Sequence, residues 1–298
     1  MKVPVKTILR ISVSAILIIY IIRTQDFLGI LKNSITINPL IFLVALVFLL
    51  LGTVFSALRW KEILKTSNKN LPFFKLFSLY LKGYFYNNFL PTQMGGDFYK
   101  AVSLSSSIND KSIAFFSVFV DRFAGLIVLL LMGIYGISLK LEFFYTAILL
   151  FLTVVGFVLY FPFLKILSKK IKVISKFYEA SLLLVKNKKS GLLILFFSVL
   201  VQIVSFAMSY TLFTGFGIFL NLQDVFAFMP LISLSLLLPS FNGWGAQEAV
   251  YAKIFGLSYI SEPISIAVSL LIQAIRIIMS LIGGVFILFN IGKLKKEI

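Results

Sequence analysis

Apolar runs long enough to cross a membrane recur along the whole chain, and no other feature constrains the fold as tightly. A bilayer core of roughly 30 Å takes about 20 helical residues. Runs of that order cover about 7–23, 39–58, 112–138, 143–161, 191–215 and 263–290. Hydrophobic residues make up 60% of the chain and charged residues 13%, about half the charged share of a globular domain. The sequence therefore predicts an all-α polytopic membrane protein, one transmembrane domain over 1–298. Lys2, Lys6 and Arg10 ahead of the apolar Ile11–Ile22 run look like a signal peptide. Arg23, Thr24, Gln25 and Asp26 follow in place of a small-residue cleavage site, so an uncleaved, tilted first span is expected. Cys and His are absent, which excludes disulfide scaffolds, thiol or imidazole catalysis and the usual zinc and haem ligands. The net charge of +17 points to cytoplasmic loops facing anionic headgroups and not to nucleic acid.

Two stretches, 72–110 and 225–260, are apolar, then broken by a Pro/Gly-rich motif, then weakly apolar again. Charge bias sets their topology. Lys and Arg cluster at 2–10, 59–71, 162–190 and 293–296, whereas 23–38, 139–142 and 216–262 hold only Arg23, Lys32, Lys140 and Lys253. With the first group cytoplasmic, both termini lie inside, in the cell membrane. Stretch 72–110 then begins and ends inside, and 225–260 begins and ends outside. Phe98–Ile108 is too short and polar to cross, so each stretch is expected to be a re-entrant, broken helical hairpin, tolerable where protein or water surrounds it. About six full spans and two re-entrant hairpins result.

The motifs repeat. Leu90-Pro91-Thr92-Gln93-Met94-Gly95-Gly96 matches Leu238-Pro239-Ser240-Phe241-Asn242-Gly243-Trp244 as L-P-S/T-x-x-G. Asp97 and Glu248 follow, and then Arg122 and Arg276 near the middle of the next spans. The halves, about 39–138 and 191–290, take opposite orientations by charge. Such an inverted repeat is the plan of many transporters, with the site where discontinuous elements meet; the alternative is chance recurrence in a Gly-, Leu- and Phe-rich chain.

Arg122 lies about ten residues into its span, roughly 15 Å deep, and Arg276 lies similarly deep. Intramembrane arginines cost several kcal/mol unless partnered. Asp121 points roughly 100° away from Arg122 on a helix, which leaves Asp97 and Glu248 as further candidates. Such pairs either lock the bundle or leave an arginine to grip phosphate. Arg59, at the end of its apolar run, is expected to snorkel. Gly95, Gly96, Gly243 and Gly245 permit positive φ and close backbone approach, and a half-helix N-terminus there favours an anion. Asn87, Asn88, Thr92, Gln93 and Asn242 add donors and acceptors that are costly unsatisfied in lipid. Pro91, Pro239 and Lys100 complete the candidate set. Segment 162–190 places Leu164, Leu167, Ile171, Ile174 and Tyr178 opposite Lys165, Lys169, Lys172 and Lys176, an amphipathic helix for the anionic cytoplasmic leaflet. No G-x-x-x-x-G-K-S/T, metal cluster or Ser/His/Asp set is present.

"NNFLPTQMGGDFYKA", "SVFVDRFAGL" and "LPSFNGWGAQEAVY", in that order, resemble the signature of the lysylphosphatidylglycerol synthase transmembrane region, or flippase-like domain, and the resemblance covers about 7–290. In multiple peptide resistance factor proteins a domain of this kind moves aminoacylated phosphatidylglycerol between leaflets, and a separate soluble domain makes that lipid. The resemblance implies lipid translocation without lipid synthesis here, with an anionic phospholipid or polyprenyl-phosphate lipid as substrate, no cofactor, and envelope lipid or glycan biosynthesis enzymes as possible neighbours. A membrane-embedded transferase with Asp97 or Glu248 as general base, and a small-anion or ion-coupled transporter, are the alternatives.

Overall fold

The structure is a computed structural model of the 298-residue chain. It describes residues 37–88, 95–170, 186–237, 240, 242–258 and 260–294, with single positions within 19–30 and 174–182. The predicted first span, Pro91, Thr92, Pro239 and much of the amphipathic segment after 170 lie outside the described residues. All regular structure among the described residues is helical, as the apolar runs require. The chain is a polytopic, all-α membrane protein.

Four helices are long and apolar enough to cross a bilayer: α1 (Pro39–Thr66), α4 (Lys111–Ser138), α6 (Lys188–Thr214) and α9 (Glu262–Leu294). Their starts are written in the sequence. Asn38 Oδ1 accepts from Leu40 N ahead of Pro39 at the first turn, and Asp110 Oδ1 accepts from Ile113 N. Asn187 Oδ1 accepts from Ser190 N. Each side chain satisfies an amide that has no intrahelical partner. Helix α5 (Phe143–Ser168) holds the 143–161 apolar run, continues through Pro162 and packs against α4.

The broken stretches form short helices. The first contains α2 (Phe73–Asn87) and α3 (Gly95–Ile108); the second contains α7 (Leu222–Leu234), a 3-10 turn (Ser235–Leu237) and α8 (Ala246–Gly256). Their 15, 14, 13 and 11 residues reach about 16–23 Å at 1.5 Å per residue, short of a hydrocarbon core of roughly 30 Å. Lys69 Nζ, just after α1, donates to Ile108 O at the end of α3 (3.4 Å), so the first hairpin returns to the level at which it began.

Packing follows an exchange. Helix α1 lies along α6; α2 packs on α9 while α7 packs on α4; α3 packs on α4 while α8 packs on α9. The second helix of each four-helix set therefore leans on the last helix of the other set. Two glycines allow this. A Cβ on Gly136 of α4 would collide with the backbone of Phe226 of α7, and one on Gly283 of α9 would collide with the carbonyl of Leu81 of α2. Small residues let backbones approach where lipid supplies no hydrophobic drive for association. One core cluster gathers Trp60, Leu76, Leu104, Val120 and Ile194; another gathers Leu212, Phe213, Phe228, Tyr251 and Ile275. Large apolar side chains such as Leu131, Phe151, Leu192 and Leu288 face outward, as a lipid-facing surface requires.

Candidate functional site

The two motifs meet. Asn88, capping the end of α2, accepts at Oδ1 from Asn242 Nδ2 of the second motif (3.0 Å) and donates through Nδ2 to Ser280 Oγ of α9 (2.6 Å). One asparagine thus joins elements 154 and 192 residues away. Asn242, Gly243 and Gly245 all hold positive φ (49°, 84° and 80°), the left-handed turns needed to bring the chain round into α8. In the first motif, Asn87 Oδ1 accepts from Gly96 N (2.6 Å), satisfying an orphan amide at the start of α3. Gly96 has no room for a side chain, because a Cβ there would strike the backbone of Gly83. Gly95 is buried beside it at the same helix start.

A polar network sits behind the first motif. Asp97 Oδ2 accepts from Arg122 Nε at 2.5 Å, and Lys100 Nζ lies 2.8 Å from Asp97 Oδ1. Lys100 also stands 3.8 Å from the ring centroid of Tyr80 and 5.3 Å from that of Trp60, within cation–π range. Asp121 turns the other way, as its 100° offset requires. It pairs with Arg59 (2.7 Å) and accepts from the Tyr80 hydroxyl. Arg59 also donates to Ser198 of α6 (3.2 Å), and Trp60 donates to Ser117 of α4 (3.0 Å). The expected snorkelling of Arg59 is therefore corrected. Helix α1 runs on past 58 to Thr66, so Arg59 stands inside the bundle, 5% exposed. Arg122 is the outward member of the set: its side chain is 61% exposed, and only its Nε is engaged among the described residues.

The second motif is built differently. Glu248 does not reach Arg276. Its Oε2 accepts from Gly245 N (2.7 Å), closing the N-terminus of α8, and its Oε1 accepts from Ser269 (3.3 Å). Arg276 donates to Gln247 Oε1 (2.7 Å) and more weakly to Gln273 Oε1 (3.5 Å). No carboxylate lies within 4.0 Å of it among the described residues. Ser280, which holds Asn88, is one turn along α9 from Arg276, so the arginine lies just behind the junction of the motifs. Both acids after the motifs are committed, Asp97 to two cations and Glu248 to its own helix. Neither is left as an open proton acceptor.

Sequence reading missed Tyr80, Ser198, Ser280, Gln247 and Gln273. Ser280 and Gln273 carried a signal, since they follow and precede Arg276 by one helical turn. Tyr80 and Ser198 carried none, because each reaches its partner only through the pairing of distant helices.

Short broken helices meeting at polar motifs inside a bundle of long apolar ones define a polytopic membrane protein with an internal polar junction. The chain belongs to the family described as the lysylphosphatidylglycerol synthase TM region, whose profile matches residues 7–284. It is also similar to a UPF0104 membrane protein of Methanocaldococcus jannaschii, 32% identical over 123 residues. That match covers 38% of this chain and 37% of the relative, so the chain spans little more than a third of that protein. No solved structure matches the chain.

Proposed function

We propose that the protein moves a membrane lipid with an anionic headgroup, a phospholipid or a polyprenyl-phosphate lipid, between the leaflets of the cell membrane. The observation that carries this reading is Arg122. It is the twelfth residue of α4, about 17 Å along the helix at 1.5 Å per residue, near mid-bilayer. An arginine there costs several kcal/mol unless something neutralises it, yet its side chain is 61% exposed. Two turns before it on α4, Phe115 is exposed and in edge-to-face contact with the exposed Phe98 of α3, the residue after Asp97. A lipid approaching from the side would place its phosphate on the two terminal guanidinium nitrogens and keep its tails over these rings. Asp97 fixes the arginine without neutralising the site, because Lys100 adds a second positive charge. Membership of a family named for the transmembrane region of a lysylphosphatidylglycerol synthase supports the same class of substrate. The exchange packing supports two oppositely oriented halves, about 39–138 and 191–290, moving about the Asn88–Asn242 junction.

A side chain 61% exposed at that depth leaves its terminal nitrogens free for a headgroup, as a substrate that stays in the bilayer requires. The test is reconstitution into liposomes with head-labelled phosphatidylglycerol, phosphatidylcholine and a polyprenyl phosphate, read by quenching of the outer leaflet. An anionic lipid should cross faster with the wild type than with Arg122→Gln. Equal rates for the two proteins across all the lipids would reject the reading.

A further inference from the structure

A small cavity of about 30 Å³ lies against Arg276, lined among others by Ser205, Ser209, Ser233, Gln247 and Tyr251. We propose that it is a binding site for a halide-sized inorganic anion, chloride under ordinary conditions, which acts as the counter-ion of Arg276. The charge balance comes first. Arg59 and Arg122 have carboxylates at 2.7 and 2.5 Å, whereas Arg276 is met by two amide oxygens. Amides orient a guanidinium without neutralising it. Glu248, the acid of that half, is held by Gly245 N and Ser269. A half-buried guanidinium met only by amide oxygens leaves a place for a negative charge beside it.

The lining chemistry points the same way. Ser205 is not engaged in any hydrogen bond or ion pair among the described residues, while Ser209 and Tyr251 share one hydrogen bond of 2.9 Å. Ser233 gives its hydroxyl proton to Met229 O (2.8 Å), so the hydroxyls that can turn to an anion are Ser205 and one of the Ser209–Tyr251 pair, and the lining holds no carboxylate. Size then selects the ligand. A cavity needs roughly 10–15 Å³ to hold one water, so about 30 Å³ takes one or two waters, or one monatomic anion. A phosphate, with four oxygens of about water size around its phosphorus, does not fit without the walls moving apart.

The proposal stands apart from lipid translocation, since anion binding can be read with no lipid crossing. The test uses full-length protein purified in gluconate, with thermal unfolding followed by the fluorescence of Trp60 and Trp244. Chloride and bromide are titrated at constant ionic strength, with inorganic phosphate and glycerol phosphate as parallel arms. Halide should raise the unfolding temperature saturably in wild type. Arg276→Gln should weaken that response by about tenfold or more, the loss of a charge-assisted contact. Ser205→Val, which fills the cavity and keeps the arginine, should weaken it too, and guards against a misfolded arginine variant. Equal unfolding temperatures in chloride and gluconate would overturn the proposal, as would an undiminished halide response in both variants. A saturable response to phosphate or glycerol phosphate with none to halide would also overturn it and make the cavity a closed headgroup site.

Discussion

Arg122 and Asp121 are adjacent in sequence yet face different partners, and that divergence separates a structural pair from an open one. Asp121 and Arg59 are both buried and lie 2.7 Å apart. Asp121→Asn leaves Arg59 inside the bundle without its charge partner and should cost about 3 kcal/mol. Unfolding in detergent would show it, and a variant as stable as wild type would sink this account of the pair. Arg122→Gln should behave in the opposite way. Its side chain is 61% exposed and buried Asp97 keeps Lys100 as a partner at 2.8 Å, so stability should fall far less than in Asp121→Asn while anionic-lipid movement falls. The places of Arg122 and Arg276 along their long helices were legible by counting residues along an apolar run. The role of Arg59 was not, because the apolar run ends before it while the helix does not. Glu248 was legible as an acid after a glycine-rich motif. That it caps its own helix was not, because this depends on the positive φ of Gly245, which turns the amide back toward it.

At the scale of the elements, the four long apolar helices were legible because length and hydropathy alone specify them, and the broken stretches because Pro and Gly punctuate them. Which helix leans on which was not legible, since lipid and protein interior ask for the same apolar side chains. The glycines carry that missing information. Gly136 and Gly283 occupy corresponding places, each in the last helix of its set against the second helix of the other. Gly136→Ala and Gly283→Ala should each destabilise by about 1–3 kcal/mol through backbone overpacking. Gly156→Ala in α5, with nothing within 4 Å of the new methyl, should be neutral. Denaturation of the three variants side by side checks this. Costs at 136 and 283 no larger than at 156 would mean that the close approaches do not hold the two sets together.

For the whole molecule, the question is whether the junction between the motifs stays closed or opens as the protein works. A polar contact between residues 154 apart, at the place where each set leans on the other, belongs to both sets and is a natural place for them to part. The chain has no cysteine, so Asn88→Cys/Asn242→Cys can be joined by a short bifunctional thiol reagent with no background. The side chains meet at 3.0 Å, so an intramolecular product should form in the double variant and in neither single one. If the two sets move apart to pass a headgroup, the linked protein should lose lipid movement relative to the same double variant capped by a monofunctional reagent. A reducible linker should restore the rate on cleavage. Linked protein that moves lipid as fast as the capped form would mean that the sets do not separate at this junction, and the path would then run along the outward face of α3 and α4, past Arg122, with the junction serving only to hold the hairpins in register.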